Sequence, residues 1–200
     1  MVEFIYFDLG NVICLFDHQI ACAKVARLVD STADEVRQVL LDGDLQARYE
    51  MGRLNSSQFV AELNAAFERE VAEDLLLHAV SDMFRVNLPV VVLIERLRQS
   101  GRRRLGVLSN TCEAHWNFCC EQYSIHRFFD VFALSYQLGS LKPDPEIYRR
   151  AADLAGLPTK SIFFTDDRAD NVAAAKAAGF IAHQFVGAEE LERELKSVAS

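Results

Sequence analysis

Five short apolar runs rich in β-branched and aromatic residues constrain this 200-residue chain more than any other feature: Phe4–Phe7, Leu105–Leu108, Val131–Leu134, Ile162–Phe164 and Ile181–Val186. Short runs of that kind, largely apolar, suit strands covered on both faces. Helical patterns separate the later ones, at Val90–Gln99, Glu113–Tyr123, Pro145–Ala155 and Ala169–Ala178. The alternation predicts an α/β fold, a Rossmann-like parallel sheet with helices on both faces. Local punctuation agrees. Asp144 before Pro145 is an N-cap with proline at the first helical position, and Gly156 and Gly179 stand where helices should end.

Residues 17–87 break the alternation, reading as several helices with no good strand among them. Asn55-Ser56-Ser57 supplies an N-cap for a helix over Gln58–Phe67, whose Phe59, Val60, Leu63, Ala66 and Phe67 share one face. With no repeat, low-complexity segment or Gly/Ser linker, this segment is expected to pack over the sheet as a small helical cap inserted after the first strand. The expected division is a catalytic core of 1–16 and 88–200 and a cap of 17–87.

Half of the residues are apolar, enough for a sizeable core. A net charge of −8 denies the chain the electrostatic footprint of a nucleic-acid or anionic-membrane partner, and the basic triplet Arg102–Arg104 reads as a solvated loop. The apolar run at the start is too short for a signal peptide or a membrane span, so the expectation is a cytoplasmic protein, monomer or homodimer. Cys14, Cys22, Cys112, Cys119 and Cys120 lack C-x-x-C spacing and are expected to be unpaired packing residues.

Open parallel sheets bind ligands beyond the carboxyl ends of their strands. Four such ends are polar: Asp8 to Val12, then Ser109-Asn110-Thr111, then Lys142-Pro143-Asp144, then Asp166-Asp167. If they converge, Asp8, Asp166 and Asp167 bring like charges into one partly desolvated place, which a divalent cation resolves. Carboxylate and carbonyl oxygens suit Mg²⁺. Lys142 adds a fixed positive charge, and Ser109 with the Asn110 backbone N–H can donate to phosphate oxygens. Such a set is built for phosphoryl transfer through an aspartyl phosphate. In isolation Lys142 would be a solvated lysine and Ser109 a turn hydroxyl; their joint occurrence argues for a site.

Asp8 with Gly10-Asn11-Val12, Ser109-Asn110-Thr111, Leu141 to Tyr148 around Lys142, and Phe163 to Asp167 with Asn171 resemble the four ordered motifs of the haloacid dehalogenase superfamily. Within it the chain is similar to small sugar-phosphate phosphatases of the glucose-1-phosphatase type and to the amino-terminal phosphatase domain of soluble epoxide hydrolases. The resemblance implies a Mg²⁺-dependent phosphatase acting on a small phosphorylated metabolite. It makes Asp8 nucleophile and metal ligand, Gly10 a ligand through its backbone carbonyl, and Asp167 the other main carboxylate ligand. Asp166 becomes a ligand or the partner of one, Asn171 orients the acidic pair, Ser109 and Asn110 bind phosphate, and Lys142 holds Asp8 and the phosphoryl group.

Gly10 departs from the pattern, because such phosphatases usually carry a second Asp there as general acid and base, worth roughly 10² to 10⁴ in rate. His18 and His115 are candidate substitutes, and the loop Tyr49-Glu50-Met51-Gly52-Arg53 is a candidate substrate-facing segment, with Arg53 placed to meet an anionic group. Two other readings stay open. A hydrolytic 2-haloacid dehalogenase needs no leaving-group proton, although paired Asp166 and Asp167 suit a metal-free site poorly. A binding or regulatory module would keep the fold without turnover.

Overall fold

In the computed structural model, which describes residues 2–198, seven strands form: β1 (Phe4–Phe7), β2 (Cys14–Phe16), β3 (Phe84–Val86), β4 (Arg104–Ser109), β5 (Val131–Leu134), β6 (Ile162–Asp166) and β7 (Ile181–Gln184). Five make a wholly parallel sheet in the order β5-β4-β1-β6-β7, with β1 at its centre. Helices α1 (His18–Val29), α2 (Ala33–Arg37), α3 (Leu45–Glu50), α4 (Ser56–Ala66) and α5 (Glu73–Ser81) precede β3. After it come α6 (Leu88–Ser100), α7 (Glu113–Tyr123), α8 (Ser135–Leu138), α9 (Pro145–Ala155), α10 (Ala169–Ala177) and α11 (Ala188–Ser197).

Alternation along β1 feeds two cores. Ile5 and Phe7 join Leu105, Val107 and Phe163 on the face covered by Leu93 of α6, Phe118 of α7 and Leu191 of α11. Phe4 and Tyr6 point the other way, toward Ile147 and Ala151 of α9 and Ala175 of α10. The four β1 side chains are fully buried, each contributing about 1.5–3 kcal/mol of hydrophobic stabilisation. Tyr6 meets the cost of its buried hydroxyl by donating to the Ala151 carbonyl at 2.9 Å.

The helices α1 to α5 share a third core built on Val25, Leu40, Phe59, Leu63 and Leu76, and it closes against Cys112 and Ala114 at the start of α7. Tyr49 stacks on Phe59 with ring centroids 4.5 Å apart, and its hydroxyl accepts from the Ala114 N–H. Asn55 caps α4 in a reciprocal box with Gln58, so the helix starts at Ser56, two residues before the sequence pattern suggests.

One reading of this segment needs correction. Residues 17–87 contain a strand, β3, which pairs antiparallel with β2 through Cys14 to Val86, Leu15 to Arg85 and Phe16 to Phe84. Three residues are too few to show a period of two, and the ladder that makes them a strand comes from a partner some seventy positions away. The helical insertion therefore leaves and returns through a two-stranded arm. Arg104 likewise is no solvated loop residue, since it opens β4, lies 5.1 Å above the Phe4 ring and donates to the Ala155 carbonyl at 2.6 Å. All five cysteines are free, and no described helix is long and apolar enough to cross a membrane.

The turn after α3 is tightly seated. Gly52 has φ +70°, and a β-carbon there would lie 2.1 Å from the Tyr136 carbonyl oxygen. Gly52→Ala is expected to destabilise the protein by more than the roughly 1–2 kcal/mol of a left-handed alanine, because the turn must also leave Tyr136. Urea unfolding measures this, and a midpoint matching the wild type would show the turn to be loosely held.

Candidate active site

Register brings the site together. Phe7 lies abreast of Val107 and Thr165, so Asp8, Leu108 and Asp166 leave the carboxyl edge side by side, with Ser109 one residue on. Asp8 is 7% exposed and accepts the Leu9 N–H at 2.7 Å. The chain then turns at Asn11, in the left-handed conformation (φ 55°) that asparagine tolerates better than most residues. From there the Asn11 amide donates to Asp167 Oδ2 at 3.2 Å.

Lys142 is the hub. Its ammonium, buried, lies 2.8 Å from Asp8 Oδ1, 2.6 Å from Asp166 Oδ2 and 3.1 Å from the Leu108 carbonyl. Asn110 holds the residue in place, its Oδ1 accepting the Lys142 backbone N–H at 2.7 Å and its amide donating to the Lys142 carbonyl at 2.9 Å. The Asn110 side chain thus positions Lys142, a role that the sequence, which suggested its backbone N–H as a phosphate donor, did not disclose. Ser109 is 1% exposed and sits beside Asp8, favouring its charged form.

Asp166 is fully buried and both of its oxygens are occupied, by Lys142, by the Asn171 amide at 3.0 and 3.1 Å and by the Arg168 backbone N–H at 2.9 Å. Of the two possibilities read from sequence, partner of a ligand fits these bonds better than ligand. Asn171 touches Asp166 and not the acidic pair, since the side chain that orients Asp167 is Asn11. The signal for Asn11 was its place in a tight turn beside the first aspartate.

Carboxylate oxygens of Asp8, Asp166 and Asp167 lie within 4.8 Å of one another. Three carboxylates against one ammonium leave two uncompensated negative charges. Burial, with Asp166 adding to it, holds the Asp8 carboxyl above the usual range despite the opposing pull of Lys142. Burial by itself would lower the Lys142 ammonium, but Asp8 and Asp166 outweigh it and hold it above its ordinary value. The donor set is all oxygen and short of two positive charges, so the residues present fit a hard divalent cation such as Mg²⁺.

A carboxyl raised in the fold contributes stability below its unfolded value of about 3.9 and loses it as pH rises through the raised value. Near neutrality the metal-free protein therefore carries a penalty at Asp8 that a cation relieves. Thermal melts are expected to show stabilisation by Mg²⁺ that is larger at about pH 7.5 than at about pH 5. Equal stabilisation at both would mean that Asp8 is not a ligand.

Beside this cluster a crevice of about 50 Å³ is lined by Gly10, Phe16, His18, Glu50, Ser109 and His115, among others. A β-carbon on Gly10 would lie 2.7 Å from Phe16 Cε1, so any side chain there would require that ring to shift. His115 is buried edge-on against Phe84, and burial, reinforced by His18, pushes its imidazole down to about 3. His18 is also lowered, by burial and then by Arg37. Of the segment 49–53, Glu50 lines the crevice; Arg53 is exposed and does not. Ser135, unmarked in the sequence, joins the helical insertion to the sheet, its hydroxyl lying 2.6 Å from the Glu50 carbonyl and 3.0 Å from that of Thr111.

The family signature of haloacid dehalogenase-like hydrolases matches residues 2–179. The chain belongs to that family. This hydrolase is 28% identical over 207 aligned positions to the D-ribitol-5-phosphate phosphatase of Bacteroides thetaiotaomicron, spanning 98% of this chain and 97% of that one. It is 28% identical to a phosphatase of Mycobacterium tuberculosis over 191 positions, 91% of this chain and 86% of the relative. Its fold matches a haloacid dehalogenase-family enzyme of B. thetaiotaomicron solved with magnesium and inorganic phosphate, with a TM-score of 0.81 at 22% identity over 92% of this chain and 94% of the other.

Proposed function

We propose that this haloacid dehalogenase-like hydrolase is a Mg²⁺-dependent phosphatase of small phosphorylated metabolites, sugar or polyol phosphates foremost, working through an aspartyl phosphate on Asp8. The observation that carries the reading is the buried Asp8 carboxyl, 2.8 Å from the Lys142 ammonium and grouped with Asp166 and Asp167. Two relatives named as phosphatases, one for a polyol phosphate, support it.

Asp8, Asp167 and the Gly10 carbonyl would hold Mg²⁺, which when bound neutralises charge on the phosphoryl oxygens. Asp8 attacks phosphorus from a position set by β1. Lys142 favours the ionised form of Asp8 and meets the charge that develops on the phosphoryl group, while Asp166, Asn110 and Asn171 keep Lys142 in place. Ser109 and the Asn110 N–H bind phosphate oxygens. The crevice, at about 50 Å³, is small beside the roughly 300–1,000 Å³ of a ligand pocket, so substrate entry requires residues 17–87 to move as a cap, for which the arm of β2 and β3 is the natural hinge.

A phosphate-release panel of sugar, polyol and aryl phosphates, with Mg²⁺ and with chelator, tests this. Release that depends on Mg²⁺ is expected. Halide release from 2-haloacids that survives chelation would instead establish the dehalogenase reading, which Gly10 permits.

A further inference from the structure

Hydrolysis of an alkyl phosphate requires a proton for the departing alkoxide, and at Gly10 there is no acid, the Phe16 ring lying against that position. The proton must come from another wall of the crevice, where the titratable residues are His18, Glu50 and His115. Both imidazoles are held in their neutral form, and His115 is buried against Phe84. Glu50 is placed differently. It ends α3, its carbonyl is bound by the Ser135 hydroxyl at 2.6 Å, and its Oε1 accepts the Gln46 amide at 2.9 Å. Its Oε2 has no hydrogen-bond partner among the described residues, and the residue lines the same crevice as Gly10 and Ser109.

We propose that Glu50 is the general acid and base of this hydrolase, supplying from the helical insertion the function that Gly10 lacks. The inference rests on the phosphatase reading. As an Asp8 oxygen bonds to phosphorus, the ester P–O bond breaks, its electron pair stays on the alcohol oxygen, and the Glu50 carboxyl gives that oxygen its proton. The Glu50 carboxylate then takes a proton from water as the water oxygen bonds to phosphorus. The bond from phosphorus to Asp8 breaks, restoring the Asp8 carboxylate and the protonated Glu50 and releasing inorganic phosphate. Burial holds the Glu50 carboxyl above the usual range, against the smaller opposing effects of Gln46 and Lys142, which suits a group that must keep a proton until it is needed.

Leaving-group dependence tests the proposal. Glu50→Gln keeps the carbonyl that accepts from Gln46 and removes the proton to be given. Turnover of alkyl phosphates is expected to fall roughly 10² to 10⁴-fold. With 4-nitrophenyl phosphate, whose leaving group departs without a proton, the variant should release about one nitrophenolate per active site in a burst and then turn over slowly, because the second step has lost its base. Glu50→Asp, still an acid but shorter, should recover part of the alkyl turnover, and both variants should bind Mg²⁺ and melt like the wild type. Equal losses on alkyl and aryl substrates with no burst would overturn the proposal, as would unchanged alkyl turnover. A wild-type protein that releases phosphate from neither substrate would overturn the phosphatase reading and this one with it.

Discussion

Asp8→Asn is expected to abolish phosphate release, by roughly 10⁴ to 10⁶-fold, while the metal-free protein melts at a higher temperature than the wild type. The two effects have one origin. The carboxylate that would attack phosphorus is buried and its acid form is favoured in the fold, so ionised Asp8 is a cost near neutral pH that an amide does not carry. Asn can still accept the Leu9 N–H, and Lys142 keeps Asp166 and the Leu108 carbonyl as partners. Single-turnover kinetics beside melting curves, with and without Mg²⁺, separate the outcomes. Loss of activity together with a lower melting temperature would make Asp8 a structural residue, and retained turnover would remove it as nucleophile.

Lys142→Met should be the most destabilising single change in the site. Met fills most of the volume but leaves Asp8 and Asp166 facing each other in a buried place, and breaking a buried ion pair from one side costs about 3–5 kcal/mol. For a chain of this length that is a fall of roughly 6–20 °C in melting temperature. The pH dependence has a definite sign. The ammonium, raised in the fold, stays charged between about pH 5 and 8, far below its unfolded value of about 10.4. In the variant the stranded Asp8 carboxyl can take a proton as pH falls, so its deficit should shrink on acidification. Urea unfolding at about pH 7 and pH 5 reads this directly, and a deficit that does not depend on pH would point to lost packing and not to charge. Phosphate release should fall roughly 10² to 10³-fold, the scale of losing one preorganised donor to a developing charge.

Much of the architecture could be read without coordinates because it rests on local patterns. Short apolar runs marked all five strands of the parallel sheet, most clearly β1, β4 and β6 at its centre, where burial on both faces leaves little place for a polar residue. The helix Pro145–Ala155 was readable to the residue, because Asp144, Pro145 and Gly156 each act within one turn of the backbone. The site's chain positions were readable for the same reason, as Asp8, Ser109 and Asp166 stand at ends of those strands. The strand Phe84–Val86 was not, because three residues carry no period.

The order of residues thus settled which elements form and which polar groups stand at their ends, because propensity, capping and hydrophobic period act between near neighbours. Contacts between residues far apart in the chain were decided only in three dimensions. Asn11 meets Asp167 across 156 positions, Ser135 meets the Glu50 carbonyl across 85, and Asn110 clasps Lys142 across 32. Each depends on sheet register and on how the helical insertion seats against the core, quantities set by the packing of many side chains at once. The same holds for Gly10: the sequence reveals a missing acid, but only the packed structure puts the Phe16 ring against it and Glu50 in the same crevice.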